Sequence, residues 1–412
     1  MRFLHTSDWH LGQNLLAKSR QAEHREFLDW LLGVLDNEVV DVLLVAGDIF
    51  DTATPANYAL ESYYTFLRRV AETHCRHVVV IGGNHDSPAT LHAPRQLLEA
   101  FRVHVAGALD GSVEDTVLTL CGEDGAPLAV VCAVPFLRDR DIRRPEAGES
   151  YEVKQKALLE GIRTTYDTAL AAAQTQRRAL ADAVVPLLAT GHLYAAGSAR
   201  TEGERDTTVG TLGEVPADCF PDAFDYVALG HLHQAQVVGG RDAVRYSGSP
   251  IALSFSEAGR QKSVVIGEWE HGGLTLRSLD VPCFQELRCL RGDLDALRTQ
   301  FAALPPVSDD GRVIWAEVQL ESDTIIPDVQ STVDDLAAGR AVEVLAIRYV
   351  RHPRSVGIRG DEPTQTLDDL APAEVFDKCL DAAAVPPEDQ PELRRAFADV
   401  LATVYRGEED TP

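Results

Sequence analysis

The chain has 412 residues, enough for two or three domains, and 45% of them are hydrophobic, an ordinary share for a protein that buries a real core. A formal net charge of −26 argues for solubility and excludes a general nucleic-acid-coating role, but a bound divalent metal still leaves room for nucleic acid held locally. Seven scattered cysteines without a Cys-x-x-Cys pair suit a reducing compartment, no long uncharged apolar run suggests a membrane span, and the strand-like start Met1-Arg2-Phe3-Leu4-His5 leaves no room for a signal peptide, so a cytoplasmic location is expected.

Residues 1–8 read as a strand that ends in Ser7-Asp8-Trp9-His10. Helical spacing of Phe27, Leu28, Leu31, Leu32 and Leu35 predicts a helix over 21–37. The run 39–46 has the unbroken apolar character of a strand buried on both faces, and it ends in Gly47-Asp48-Ile49-Phe50-Asp51. Pro55 opens a second helix that reaches about Glu72 and carries Tyr58, Tyr63, Tyr64 and Phe66, most simply core residues. A strand over 78–81 then runs into Gly82-Gly83-Asn84-His85-Asp86, followed by a shorter helix near 94–101. Strands alternating with helices over short connections predict an α/β fold.

The segment 103–135 is β-rich, and 136–150 reads as a loop that is the most basic patch of the chain. An alanine-rich helix covers 152–183, and the next two apolar runs end in Gly191-His192 and Gly230-His231-Leu232-His233. A polar loop spans 195–210, and the alternating pattern up to Val281 predicts antiparallel strands closing a second sheet. Beyond Pro282 the pattern is strand 284–290, helix 293–303, strand 312–320, helix 328–338 and strand 341–350, a small α+β domain. A polar linker from Pro353 to Pro363 leads to two tail helices, 372–384 and 390–404. The expected domains are thus 1–281, 282–352 and 353–412.

Five strand ends share one form, an apolar run followed by Asp, His or Asn: Asp8-x-His10, Asp48-x-x-Asp51, Asn84-His85-Asp86, His192 and His231-x-His233. One such pair alone is ordinarily a turn; the ordered set is specific. Ligands bind outside the C-terminal ends of strands in α/β sheets, and rigid strand ends hold side chains in place. Imidazole, carboxylate and amide oxygen without thiolate suit Mn²⁺, Fe²⁺ or Mg²⁺ better than structural zinc. Asp8, His10, Asp48, Asn84, His192, His231 and His233 are too many ligands for one open-sided ion and fit two ions bridged by a carboxylate, for which Asp48 is the natural choice. His85 is then the proton donor or charge stabiliser, with Asp51 or Asp86 fixing its tautomer. Gly82 and Gly83 are expected to let backbone and phosphate approach closely.

Asp8-x-His10, Gly47-Asp48-x-x-Asp51, Gly83-Asn84-His85-Asp86, Gly191-His192 and Gly230-His231-x-His233, in this order, resemble the calcineurin-like metallophosphoesterase superfamily. The longer stretches Ser7-Asp8-Trp9-His10-Leu11-Gly12 and Tyr246-Ser247-Gly248-Ser249-Pro250 extend the resemblance to its bacterial repair nucleases, relatives of the eukaryotic double-strand-break nuclease. The resemblance implies a two-sheet α/β sandwich flanked by helices, a small α+β capping domain over 282–352, and a helical tail that grips the coiled coil of an ABC-type ATPase partner. It implies two manganese ions, one at Asp8, His10, Asp48 and His233 and the other at Asp48, Asn84, His192 and His231, with His85 catalytic and Asp51 beside it. It further implies 3′→5′ exonuclease action on duplex DNA, endonuclease action on single strands and hairpins, roles in DNA repair, recombination and replication, and a homodimer within a heterotetramer, formed through the helices after Asp51 and Asp86. The candidate phosphate contacts are Arg138, Arg140, Arg143, Arg144 and Arg200.

Overall fold

A computed structural model describes residues 1–144, 148–180, 184–195, 215–307, 311–322 and 328–350, with short helical stretches between 376 and 397. The first part of the chain runs β1 (Arg2–Thr6), a small hairpin of β2 (Asn14–Leu15) and β3 (Lys18–Ser19), α1 (Gln21–Asn37), β4 (Val42–Ala46), α2 (Asn57–Val70), β5 (His77–Ile81), α3 (Pro88–His92), α4 (Arg95–Glu99) and β6 (Val103–Ala106). It continues with β7 (Val117–Cys121), β8 (Pro127–Cys132), α5 (Asp139–Ile142), α6 (Tyr151–Ala179), β9 (Leu187–His192), β10 (Tyr226–Gly230), β11 (Gln236–Val238), β12 (Arg241–Tyr246), β13 (Ser263–Glu270) and β14 (Gly273–Asp280).

Two six-stranded sheets result, in the orders β14-β13-β1-β4-β5-β6 and β11-β12-β10-β9-β8-β7. The strands β1, β4, β5 and β6 run parallel, as do β8, β9, β10 and β12. The period-two alternation of a strand explains the unbroken apolar runs. In β4, Leu43 and Val45 join the core under α1 and α2, whereas Val42, Leu44 and Ala46 face Ala129, Val131, Leu188 and Ala228 of the other sheet. The second sheet is covered by α6, whose Ile162, Tyr166, Ala169 and Ala173 pack on Val130, Leu187 and Val227. The layers are therefore helix, sheet, sheet, helix, the expected α/β sandwich.

Three expectations need correction. The strands β13 and β14 do not close the second sheet; β13 pairs antiparallel with β1 and extends the first, because β1 is left with one open side after β4 takes the other. The helix expected near 94–101 is confined to α4, Arg95–Glu99, and a second short helix that was not expected, α3, Pro88–His92, precedes it, with Pro94 between the two. Part of the basic loop is helical, α5, and two of its four arginines are paired within it: Arg143 with Asp139 and Glu149, Arg138 with Asp141. Arg140 is the exposed one of Arg138, Arg140 and Arg143, and Arg200 lies outside the described residues.

A separate three-stranded sheet follows, β15 (Leu287–Gly292), β16 (Ile314–Glu321) and β17 (Val342–Val350), with α7 (Leu294–Ala302) and α8 (Val329–Ala337). Leu297, Phe301, Val318, Leu320 and Val333 form its core. Leu287 meets Leu15 and Phe255, with Trp315 and Leu345 packed around them, so this sheet leans on the β2–β3 hairpin and on the 3₁₀ turn Phe255–Glu257. The polar loop expected over 195–210 and most of the tail lie outside the described residues. Within the tail, Phe376 stacks on Phe397 with centroids 4.1 Å apart, and Arg394 pairs with Asp377. No helix among the described residues is long and apolar enough to cross a membrane.

Candidate metal centre

Because the central strands of both sheets run parallel, their C-terminal ends share one edge, and Asp8, Asp48, Asn84, His192, His231 and their neighbours meet there. The loops after β1 and β4 are laced together: Asp8 N donates to Gly47 O (3.0 Å), His10 N to Asp48 O (3.0 Å) and Leu11 N to Ile49 O (2.9 Å). Asp8, His10, Asp48 and His231 all have left-handed backbones, with φ of 54°, 47°, 51° and 105°. Each such non-glycine residue costs on the order of 1–3 kcal/mol, a strain that clusters at functional sites. Gly83 packs directly against Asp48. A Cβ there would overlap the Asp48 carboxylate and backbone nitrogen, so its smallness makes room for Asp48.

Among the described residues, three groups each bring their ligand atoms within 4.8 Å of one another: Asp8, His10 and His233; Asp48, His192 and His231; and His10, Asp51 and His85. Asp48 Oδ2 lies 3.2 Å from His192 Nε2 and 3.7 Å from His10 Nε2, between the first two groups. Asn84 Oδ1 lies 2.9 Å from His192 Nε2 and 3.1 Å from His231 Nδ1. The ring centroids of His10 stand 4.8 Å from His85 and 5.3 Å from His233. Asp8, His10, Asp48, His192, His231 and His233 are all buried, whereas Asn84, His85 and Asp51 sit at the half-exposed rim.

These residues fit divalent ions. The Nε2 of buried His10 lacks a hydrogen-bond partner, a costly arrangement that a metal bond resolves. The Nδ1 of His192 donates to Ala46 O at 2.9 Å, which fixes the tautomer with its Nε2 lone pair turned to Asp48 and Asn84. The Nδ1 of His233 meets Glu257 Oε1 at 3.2 Å in the same manner. Ser7 Oγ donates to Asp8 Oδ2 at 2.5 Å, and His231 N to Asp8 Oδ1 at 2.9 Å, so Asp8 is aimed as well. Burial raises the Asp48 carboxyl, but the neighbouring His192, His10 and His85 outweigh it and hold the group well below the usual carboxylate range. Burial lowers the His192 imidazole, yet Asp48 and Asp8 carry it up to about 9. These closely set carboxylates and imidazoles form a donor set that a bound divalent cation would complete.

Asp86 and Asp51 separate in role. The Asp86 carboxylate accepts from Gly83 N (2.9 Å), Phe50 N (3.0 Å) and Ile49 N (3.1 Å), clasping the loops after β4 and β5. It is not the residue that fixes the His85 tautomer. The Nδ1 of His85 lies 2.7 Å from Asp51 O, a backbone carbonyl, and the Asp51 carboxylate stands 3.4 Å from His10 Nδ1. The residues that sequence reasoning missed are those behind the ligands: Glu257, Lys262, Ser7 and the Ala46 carbonyl. Only Ser7 stood inside a motif; Glu257 has no local signature beyond being a charge in the largely apolar run from Ile251 to Phe255 and its turn.

The calcineurin-like phosphoesterase family matches residues 1–235, and the type 5 capsule protein repressor C-terminal domain matches residues 283–383. The chain is 40% identical over 405 residues to SbcD of the nuclease SbcCD from Escherichia coli (strain K12), covering 98% of each chain. It is 39% identical over 290 residues to SbcD from Rhodobacter capsulatus, covering 68% of this chain and 69% of the relative. SbcD from Bacillus subtilis (strain 168) is 37% identical over 276 residues, with 66% and 67% covered. The chain belongs to the calcineurin-like metallophosphoesterases and, among them, to the SbcD family. It is accordingly a hydrolase of a family that binds divalent metals.

Proposed function

We propose that this chain is a two-manganese deoxyribonuclease, cutting duplex ends 3′→5′ and single strands and hairpins internally, as the nuclease component working with the ATPase SbcC in DNA repair and recombination in the cytoplasm. The observation that carries this reading is Asp48 Oδ2, set between His10 Nε2 and His192 Nε2 with the other ligand atoms around it. Asp8, His10, Asp48 and His233 would hold one ion, and Asp48, Asn84, His192 and His231 the other. Ions bound there supply charge stabilisation at the phosphorus and acidify the attacking water. His85 works from the rim. Its Nδ1 donates a hydrogen bond to Asp51 O, and in the imidazolium form its Nε2 would deliver a proton to the leaving oxygen.

The rest of the chain supports a polymeric substrate. A phosphatase or a small-diester phosphodiesterase would not need residues 282–412, which here would serve as a cap that holds DNA and a tail that grips SbcC. Tyr64, Leu67, Leu98, Leu97 and Phe101 line an apolar groove of about 620 Å³ between α2 and α4, with Leu97 64% exposed, a surface suited to a second copy of the chain.

The test compares duplex DNA with a small chromogenic diester in the presence of manganese and SbcC. Hydrolysis of the diester without cutting of DNA would reject the nuclease reading. A chain truncated after Gln365 should keep its manganese and lose SbcC; its co-elution with SbcC would reject the role given to the tail.

A further inference from the structure

We propose that Glu257 and Lys262 act as a positioning pair for His233, fixing the ring so that Nε2 faces one metal; this rests on the two-metal reading above. Glu257 is wholly buried, and the Lys262 side chain is only 11% exposed. The carboxylate receives His233 Nδ1 at 3.2 Å on Oε1, and Lys262 Nζ at 2.5 Å and Leu253 N at 3.3 Å on Oε2. Lys262 Nζ also donates to His233 O at 2.9 Å and to Ser249 Oγ at 2.8 Å, which uses all three of its protons. The pair therefore holds His233 at two points, ring and backbone. The turn that carries Glu257 is itself anchored, since Phe255 packs against Leu15 and Leu287.

The two metal positions are thereby unlike. His192 is backed by a neutral acceptor, the Ala46 carbonyl, at 2.9 Å, whereas His233 is backed by a carboxylate. A carboxylate behind a ligating imidazole fixes its tautomer and raises its basicity, and losing such a partner weakens metal binding about 10- to 100-fold. Lys262 Nζ, bonded to Oε2, keeps Oε1 turned to the His233 ring. A plain structural ion pair would share these distances but would leave metal affinity untouched once the fold is restored.

The double variant Glu257→Leu/Lys262→Met separates the two roles, since a buried ion pair is often replaced by apolar side chains without loss of stability. Manganese is titrated calorimetrically into the metal-free full-length chain, and coupled manganese pairs are counted by electron paramagnetic resonance. The wild type should bind two ions as a coupled pair. The folded double variant should bind one ion as before and the other about 10- to 100-fold more weakly, with the coupled signal lost at stoichiometric metal. Two ions at wild-type affinity in the variant would overturn the positioning role while leaving the two-metal reading intact. Fewer than two ions in the wild type would overturn both. Should the double variant not fold, Glu257→Gln, which keeps the volume, must show the same one-site loss, and unchanged affinity there overturns the proposal.

Discussion

His85 Nδ1 donates to the backbone carbonyl of Asp51 at 2.7 Å, and a carbonyl can only accept, so the proton of that contact sits on Nδ1. The His85 tautomer is set by the main chain of the loop after β4, which side-chain substitution does not remove. His85→Ala should lower DNA hydrolysis about 10²- to 10⁴-fold with manganese stoichiometry unchanged. Asp51→Ala keeps the carbonyl and should cost less than His85→Ala, with its main effect on manganese affinity beside His10. Steady-state rates measured with metal titrations on both variants check this; equal losses in rate would contradict it.

Gly83 is the point where the β5 turn meets Asp48. Gly83→Ala would drive a methyl into the Asp48 carboxylate. Overpacking of this kind costs about 1–3 kcal/mol, and here the displaced group is the proposed bridge. Thermal unfolding should show the loss of stability, and calorimetry should show weakened binding of both ions. A variant with two ions at wild-type affinity would mean that Asp48 can yield without consequence.

The strand ends were legible because each parallel strand is buried on both faces and so reads as an unbroken apolar run, after which an Asp, His or Asn stands out. Asp8, Asp48, Asn84, His192 and His231 were found on that contrast alone. Membership of β13 was not legible, because Val264, Val265 and Ile266 would suit the edge of either sheet, and the choice depends on which side of β1 remains open. The acceptor of His85 was not legible because a backbone carbonyl has no sequence signature. Glu257 was hidden for a similar reason: it touches His233 across 24 positions of chain.

Acid should destabilise the fold through histidines away from the metal centre. Burial lowers His5, packed beside Tyr226, to about 3, and lowers His104, stacked on His77, to about 4. Their folded values lie below the unfolded 6.5, so the unfolded chain binds more protons beneath that pH. Stability is therefore full above about pH 6.5 and falls as pH drops towards 4 and then 3, with wholly buried His5 contributing up to about 1.4 kcal/mol per pH unit. Denaturant titrations at pH 7, 6, 5 and 4 should show this slope, reduced in His5→Phe. An unchanged slope in that variant would exclude His5 as its source.

The groove between α2 and α4 is apolar and open, with Leu97 and Phe101 exposed. Leu97→Asp with Phe101→Asp should convert a dimer to a monomer in sedimentation equilibrium while leaving each chain's manganese content unchanged. A dimer that persists with the same dissociation constant would place the contact elsewhere.

The measurement closest to the centre of this account is anomalous scattering from manganese soaked into crystals of the chain. Two peaks about 3.5–4 Å apart are expected, with an Asp48 carboxylate oxygen between them, His10 and His233 at one, and Asn84, His192 and His231 at the other. A single peak, or two peaks that do not share Asp48, would contradict the two-metal site.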